Sequence, residues 1–318
     1  MADLVAALDG GGTKTQGAWA DPSGQITLGA ALAGCNPQDG PDWAGNLQMA
    51  LHNLPADCVH ATLGIPGFGE VPNDDERVLQ LVADSFPGTA QVLNDVALAY
   101  RGAFPDGGGV LILAGTGSMA IASGPNGLHR SGGWGDAYGD EGSAYWIGRA
   151  GLALASKQAD GRLPGTGFAA ALSARLGLAA KADPYALLGW VLTQNHQRPA
   201  IASVARQIDR MAQSGDATAI ALLRAAADEL HQHMQAVTRL AGLADSAPWA
   251  CAGSVFNSHT LRQEVVQVRH HQPVRPLLDA LGGGLWLAAR AAGWPVNQTW
   301  ATRIAAGLAA ALSERVRP

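Results

Sequence analysis

The feature of this sequence that most constrains its fold is a strand-turn-strand pattern that occurs twice, each time with glycines in the turn. In the first copy, the apolar run 4–8 predicts a buried strand and residues 16–20 predict a strand that runs back. In the second copy, the apolar run 110–114 turns and returns through residues 119–123. The duplication predicts a chain with two similar halves. The turn residues are Gly10, Gly11, Gly12, Thr13 and Lys14 in the first copy and Gly115, Thr116, Gly117 and Ser118 in the second.

The segments between and after the two copies favour a mixed α/β architecture, with mostly helices after residue 140. A glycine triplet at 282–284 opens one of the later apolar helices, and Asp216 is the expected N-cap of a long amphipathic helix. Helices are predicted at 43–54, 75–86, 143–157, 167–176, 200–214, 216–243, 282–290 and 299–315, and further strands at 61–65, 91–93 and 249–252.

Composition excludes several classes of protein. A chain of 318 residues with 47% hydrophobic residues can bury a core in each of two domains. The formal charge of −5 gives no basic field for nucleic acid, so no nucleic-acid partner is expected. The N-terminal residues lack a signal-peptide pattern and no long uncharged apolar run follows, which predicts a cytoplasmic protein without a membrane partner. Cys35, Cys58 and Cys251 are scattered and lack the spacing of a zinc or iron–sulfur site.

The two glycine turns are candidate phosphate-binding sites. Successive backbone N–H groups of a glycine-rich turn converge on an anion without side chains in the way. Neither turn has the pattern of a Walker A loop or of a dinucleotide-binding GxGxxG helix start. A single glycine turn is more often a plain hairpin, but two matched copies, one of them following an acid, favour phosphate binding.

Two aspartates that follow apolar strands are the candidate chemical groups. Asp9 lies where an unpaired carboxylate is costly, so a hydrated Mg²⁺ on the phosphates is its expected partner; the alternative is an Asx-type turn. Asp95 follows the strand 91–93 and could accept the proton of a hydroxyl that attacks a γ-phosphate. The alternative for Asp95 is a helix cap for residues 96–101.

The segment 131–142 holds five glycines, two aromatic residues and three acids, a composition suited to gripping sugar hydroxyls and a ring face. Asp140 and Glu141 stand just before a helix, where they could instead act only as N-terminal helix charges. His231 and His233 lie two positions apart on a predicted helix, and His270 and His271 are adjacent, so neither pair has metal-ligand spacing and both are expected to be solvated.

Together these stretches resemble the superfamily that joins acetate kinases, sugar kinases, heat-shock chaperones and actin, and within it the N-acetylglucosamine kinase and BadF/BadG group. Residues 8–14 and 113–118 look like its two phosphate motifs, and residues 251–256 look like its adenosine motif. The stretch 132–148 looks very like the sugar-binding segment of N-acetylglucosamine kinases.

The resemblance implies an α/β fold of two ribonuclease-H-like, actin-like ATPase domains with an interdomain nucleotide cleft, and commonly a homodimer. The implied domains are 1–106, on the sugar and phosphate side, and 107–295, on the nucleotide side, with 296–318 as a C-terminal helix that could pack back on the first domain. Asp95 corresponds to the catalytic aspartate, and Gly253 and Ser254 belong to the adenosine motif. Sugar contacts are implied for Asn36, Gly67, Asp95, Gly133, Trp134, Gly135 and Asp140.

The function expected from this resemblance is ATP- and Mg²⁺-dependent phosphorylation of an amino-sugar hydroxyl, the 6-hydroxyl of N-acetylglucosamine first. Glucosamine and N-acetylmuramate are alternative acceptors, since residues 65–68 depart from the serine or alanine that many relatives carry before the glycine. One rival is an activator ATPase of the BadF type, for which the cysteines are not suitably grouped. Another is a non-catalytic sugar sensor, for which the region before the first strand leaves no room for a DNA-binding helix pair.

Overall fold

The computed structural model describes residues 3–316 of the chain. Their contacts divide the chain into two compact units. The first comprises the described residues up to Gly107 and those from Arg275 onward, and the second comprises Gly108–Val274. Among the helices between residues 3 and 316, none has the length and apolar character needed to cross a bilayer.

The first unit is built on a five-stranded sheet in the order β3-β2-β1-β4-β5. The first three strands of the chain form an antiparallel meander, while β4 and β5 run parallel to β1. The centre of β1 is buried on both faces, which explains its continuous apolar sequence. The strands are β1 (Leu4–Gly10), β2 (Lys14–Ala20), β3 (Ile26–Ala33), β4 (Cys58–Ile65) and β5 (Thr89–Asn94).

Helices cover both faces of this sheet. Leu8 faces a core formed with the first two helices, and Val5 faces a second core formed with the two C-terminal helices. This alternation along β1 follows from the period of two in a strand. The helices of the first unit are α1 (Trp43–His52), α2 (Pro72–Ser85), α3 (Asp95–Ala103), α10 (Ala280–Ala291) and α11 (Gln298–Val316).

The second unit repeats the plan with a four-stranded sheet in the order β8-β7-β6-β9. Strands β6, β7 and β8 are an antiparallel meander, and β9 runs parallel to β6 as β4 does to β1. The predicted duplication is therefore confirmed, and the fold is of the ribonuclease-H-like type in both halves. The strands are β6 (Val110–Ala114), β7 (Ser118–Gly124), β8 (Gly127–Gly132) and β9 (Trp249–Ala252).

The helices of the second unit share one large core. Asp216 caps the longest of them as predicted, because its carboxylate accepts the Ala219 N–H at 2.9 Å. One helix that the sequence reading left out, α6, begins at Pro184 after the capping carboxylate of Asp183. The helices are α4 (Ala144–Ala159), α5 (Phe168–Arg175), α6 (Pro184–Leu192), α7 (Gln197–Gln213), α8 (Ala217–Leu240) and α9 (His259–Arg269), with a 3₁₀ turn at Ser254–Asn257.

The division of the chain differs from the expected one at Gly107 and at residues 275–295, which group with the first unit rather than the second. Two glycines explain why. A Cβ at Gly283 on α10 would lie 2.3 Å from the Gly102 backbone nitrogen on α3, and a Cβ at Gly102 would lie 2.2 Å from the Asp279 carbonyl oxygen. The two helices therefore touch backbone to backbone. Helix α11 contacts β3 and α10 in the same unit. Residues 1, 2, 317 and 318 of the expected ranges lie outside the described residues.

Candidate active site

The carboxyl ends of three neighbouring strands in the first unit bring Asp9 and Asp95 to one edge of the sheet. Asp9 on β1 lies opposite Gly64 on β4, and the next β4 residue lies opposite Asn94, which precedes Asp95. A Cβ at Gly64 would lie 2.7 Å from Leu98 Cδ2 and 3.3 Å from the Asp95 Cα. The missing side chain at Gly64 therefore lets α3 start directly against the sheet, with Asp95 as its first residue.

Burial and neighbouring negative charge raise the pKa values of the carboxyl groups at this edge. Burial, followed by the negative charges of Asp95 and Asp279, raises the pKa of Asp9 from 3.8 to about 7, with Lys14 acting in the opposite direction. Burial also raises the pKa of Asp95, against a hydrogen bond from the Val96 N–H that lowers it. Clustered carboxylates with raised pKa values are typical of functional sites.

Asp95 is not the N-cap of its helix. Asn94 takes that position, and its Oδ1 accepts the Val96 N–H at 3.0 Å. The Asn94 Nδ2 also donates to the Phe68 carbonyl at 3.2 Å, which ties the turn after β4 to the same edge. Asp95 Oδ1 accepts the N–H of its own neighbour Val96 at 2.9 Å. Because Asn94 serves as the cap, the helix does not require the Asp95 carboxylate for that purpose.

Asp279 is a site residue that the sequence reading missed. It is the N-cap of α10, where its Oδ1 accepts the Gly282 N–H at 2.8 Å, and burial raises its pKa. The available signal was an aspartate three positions before a glycine triplet that opens an apolar helix, which is a capping pattern. Its proximity to Asp9 depends on the close packing of α10 and had no local signal.

This edge fits a hydrated cation. No hydrogen bond or ion pair joins the Asp9 carboxylate to any residue between 3 and 316, and Lys14 acts on its charge only without direct contact. Across the same residues, no group of three or more His, Cys, Asp or Glu side chains is arranged to hold a metal alone. The Asp9 carboxylate could hold Mg²⁺, which commonly keeps several waters and binds through one or two carboxylates and substrate phosphates.

The first glycine turn packs against the segment that carries Asn36. A Cβ at Gly34 would lie 2.1 Å from the Gly12 carbonyl oxygen, and the Cys35 N–H donates to the Gly11 carbonyl at 3.1 Å. Gly10 is required by packing, since its Cβ would lie 2.7 Å from the Cys35 Sγ. Thr13 and Lys14 are exposed on the outer side of the turn.

Asn36 and Gly67, both predicted sugar contacts, lie close together in the first unit. A Cβ at Gly67 would lie 3.7 Å from Asn36 Oδ1, and Gly67 has a φ of 74° that favours glycine. Asn36 Oδ1 accepts the Gln38 N–H at 3.1 Å, which fixes the direction of the side chain. The orientation leaves the amide nitrogen of Asn36 as the donor for a ligand.

In the second unit, the second glycine turn is held from behind by helix α4. The first residues of α4, Ala144 and Tyr145, donate their N–H groups to the carbonyls of Gly115 and Thr116 at 2.9 and 3.3 Å. A Cβ at Gly115 would meet nothing within 4 Å, so the turn borders open space there. The predicted role of Ser118 needs refinement, since its hydroxyl is buried and donates to the Glu141 carbonyl at 2.6 Å.

The glycine-rich segment predicted to bind sugar lies beside this turn. Asp140 is only 2% exposed and takes a φ of 60°, unusual for a residue with a side chain. Its Oδ1 would lie 2.5 Å from a Cβ at Gly117. Trp134 is about half exposed, with the Arg130 guanidinium 4.2 Å from its ring centre. Gly133 and Gly135 both have positive φ values, and space beside Gly135 is open.

Glu141 and His233 form a second pair in this region. The expectation that His233 is solvated is wrong, because the residue is 9% exposed and its Nε2 lies 3.6 Å from Glu141 Oε2. A Cβ at Gly132 would lie 2.7 Å from the His233 ring, so that glycine makes room for the imidazole. Helix α8 therefore contributes to the support of the glycine-rich segment.

The predicted adenosine motif, residues 251–256, makes a close backbone contact with the strand that leads into the second glycine turn. A Cβ at Gly253 would lie 2.2 Å from the carbonyl oxygen of Ala114, the residue before the turn. Ser254 lines a cavity of about 240 Å³ with apolar walls from Ile147 and Leu223. The polar groups of the cavity include Arg206, Asp209 and Asn257. Apolar walls with a few polar groups are typical of ligand-binding cavities.

Comparison with known proteins gives this arrangement a family. The model of the BadF/BadG/BcrA/BcrD ATPase family matches residues 8–286, which include both glycine turns and the adenosine motif. The chain belongs to the BadF/BadG/BcrA/BcrD ATPase family. A curated relative is an N-acetylmuramic acid/N-acetylglucosamine kinase from Clostridium acetobutylicum, 28% identical over 218 residues, which span 67% of this chain and 68% of the relative.

Solved structures resemble this BadF/BadG/BcrA/BcrD family member over most of its length. A candidate N-acetylglucosamine kinase from Chromobacterium violaceum matches with a TM-score of 0.68 at 23% identity, covering 90% of this chain and 99% of the other. A candidate N-acetylglucosamine kinase from Porphyromonas gingivalis matches with a TM-score of 0.63 at 18% identity, with coverage of 90% and 99%. At these identities the likeness establishes the fold.

Proposed function

We propose that this family member is an ATP-dependent kinase that phosphorylates a hydroxyl of an amino sugar, the 6-hydroxyl of N-acetylglucosamine first. The observation that carries the proposal is the half-buried carboxylate of Asp95 at the carboxyl edge of the first sheet. It lies beside Asp9 and in the same unit as Asn36 and Gly67. The relative from Clostridium acetobutylicum, a kinase for N-acetylmuramic acid and N-acetylglucosamine, supports this class of acceptor.

ATP is the proposed phosphoryl donor. The Gly115 turn borders open space, and the Gly253 contact places the adenosine motif and its cavity next to the strand that leads into this turn. In the proposal, the backbone of Gly115, Thr116 and Gly117 and that of Gly10, Gly11 and Gly12 donate to phosphate oxygens. Ser254 and Gly253 contact the nucleoside, and Thr13 and Lys14 supply side-chain donors.

Asp95 is the proposed general base. A carboxylate with a raised pKa is a better proton acceptor for an alcohol than an ordinary aspartate, and positioning of the alcohol supplies much of the rate. Asn36, Gly67, Asp140 and the segment Gly133, Trp134 and Gly135 hold the sugar in this proposal. When Mg²⁺ is bound, it neutralises charge on the transferred phosphoryl group. Asp9 is the residue proposed to hold the ion's water shell.

A coupled ADP-release assay over a panel of sugars tests the proposal. The panel contains N-acetylglucosamine, glucosamine, N-acetylmuramate, N-acetylmannosamine and glucose, each with Mg²⁺ and ATP. We expect sugar-dependent ADP release with N-acetylglucosamine, and mass spectrometry should find one phosphate on the sugar product. ADP release that does not depend on any sugar would refute the kinase assignment and favour an activator ATPase. Binding of a sugar without ADP release would favour a sensor.

N-acetylmuramate is the second candidate acceptor, because the curated relative acts on both N-acetylmuramic acid and N-acetylglucosamine. The lactyl group of N-acetylmuramate adds a carboxylate. The ratio of the kcat/KM values for the two sugars therefore measures whether the pocket favours or disfavours that negative charge. A homodimer remains a prediction, which light scattering on the purified protein can check.

A further inference from the structure

In the second unit, contacts among Ser118, Asp140 and Arg198 join the proposed sugar-binding segment to the second glycine turn. The Asp140 carboxylate is 3% exposed and accepts from two sides: the Ser118 N–H reaches Oδ1 at 3.4 Å, and Arg198 Nη2 reaches Oδ2 at 2.6 Å. Arg198 Nε also lies 3.3 Å from the more exposed Asp136. A buried carboxylate requires such partners, because an unpaired charge there is costly.

The position of Arg198 follows from the packing of two helices. Arg198 is the second residue of α7, and α7 lies against α4 so closely that a Cβ at Gly148 would lie 1.9 Å from the Ile201 carbonyl oxygen. Helix α4 in turn donates its first N–H groups to the carbonyls of Gly115 and Thr116. The same pair of helices therefore holds the glycine turn from one side and delivers a cation to Asp140 from the other.

We propose that Arg198 is a positioning residue that fixes Asp140 between the sugar and the second glycine turn, so that one ion pair sets both binding sites of this unit. The inference rests on the proposed function, in which Asp140 contacts the acceptor sugar and the turn contacts ATP. Arg198 itself touches neither. Its loss lets the carboxylate rotate, which removes a fixed acceptor for the sugar and the partner of the Ser118 N–H.

The guanidinium geometry gives this role to arginine in particular. Nε and Nη2 of Arg198 contact two different carboxylates, Asp136 and Asp140, from one planar group. A lysine ammonium is a point charge that can pair with Asp140 but cannot hold both acceptors in a fixed plane. Replacement by lysine should therefore restore part of what glutamine loses.

The test compares Arg198→Gln, Arg198→Lys and the control Arg210→Gln, an exposed arginine on the same helix whose replacement removes the same charge. A hydrogen bond to a charged group contributes about 1.5–3 kcal/mol, which corresponds to a change of about tenfold to a hundredfold. We expect Arg198→Gln to raise the KM for N-acetylglucosamine and the KM for ATP by about tenfold or more each, and Arg198→Lys to recover part of both. Arg210→Gln should change neither.

Hydrogen exchange of residues 115–118 without ligands supplies a readout that does not require activity. We expect faster exchange in this turn in Arg198→Gln than in Arg210→Gln, since the acceptor of the Ser118 N–H is no longer fixed. A rise in the sugar KM alone, or a lower Tm with both KM values and the exchange unchanged, would overturn the coupling role. If the wild-type chain phosphorylates no sugar, the proposed function fails, and unchanged exchange in the turn would separately refute the role of Arg198.

Discussion

The two glycine turns occupy equivalent places in two sheets whose four corresponding strands have the same order, yet the charged groups beside the two turns differ. The first follows Asp9, whose pKa is raised to about 7 by burial and by Asp95 and Asp279. At the equivalent place before the second turn stands Ala114, and the nearby carboxylate, Asp140, comes from another segment and is paired with Arg198. Negative charge therefore accumulates beside the first turn, whereas the carboxylate beside the second turn is paired with an arginine.

The comparison teaches that duplication of a backbone unit does not duplicate its chemistry. In both copies the hairpin and the parallel strand beside it are retained. What differs is the residue at the end of the central strand and the helices that approach it. If this difference in charge reflects a difference in role, changes to the carboxylates beside the first turn should act on turnover and on the response to pH, and changes at the second turn should act on nucleotide binding.

The largest effect is expected from Asp95→Asn. Loss of a general base lowers turnover by about 10²–10⁴-fold, while ADP binding should remain within about twofold because the second turn is untouched. Steady-state ADP release and calorimetry measure the two quantities. Asp84→Asn, on the exposed side of α2, is the matched control. Residual activity above about a tenth of wild type would remove Asp95 from the proposed role of general base.

A second test uses the pH dependence of stability without Mg²⁺ or nucleotide. Since folding raises the pKa of Asp9 from 3.8 to about 7, the folded protein holds a proton that the unfolded chain has released between these values. This contribution is complete below about pH 4 and is lost as the pH rises to about 7, a difference on the order of 4 kcal/mol. Urea unfolding from pH 5 to pH 8 should therefore show wild type losing stability relative to Asp9→Asn.

Asp279→Asn tests whether the charge of Asp279 contributes to the raised pKa of Asp9. Asparagine keeps an oxygen for the cap of α10 but removes one negative charge that raises the Asp9 pKa. The loss of stability should then occur at lower pH than in wild type. An identical stability difference between wild type and Asp9→Asn at every pH would show that the first turn carries no excess of negative charge.

The smallest effects are expected from two alanine substitutions in the second turn. A Cβ at Gly117 would lie 2.5 Å from Asp140 Oδ1, whereas a Cβ at Gly115 would meet nothing within 4 Å. Gly117→Ala should therefore reduce the free energy of unfolding by about 1–3 kcal/mol, and Gly115→Ala by less than about 0.5 kcal/mol. Gly115→Ala should nevertheless weaken ADP binding, measured by calorimetry, because its methyl group enters the open space beside the turn. Unaltered ADP binding would argue against a phosphate site there.

The sequence predicted the central strand of each unit well, because residues 4–8 and 110–114 are short apolar runs that end at turn residues. The outer strands β3 and β8 were not predicted, since their side chains are largely half-buried or exposed and show no apolar run. The glycine turns, Asp9 and Asp95 could be predicted because local sequence patterns mark them. The proximity of Asp279 to Asp9, the buried state of His233 and the pairing of Arg198 with Asp140 had no local signal, because each depends on packing between segments far apart in the chain.

The backbone contact of Gly102 with Gly283 has a consequence for how the chain folds during its synthesis. Residues 108–274 form a complete unit inserted between two parts of the other, so the ribosome delivers everything that the inserted unit requires before residue 283 appears. One face of the sheet in the first unit is covered only after the last two helices of the chain have been synthesised. The half of the protein that begins first is therefore finished last, and Asp279 joins Asp9 only at that late step.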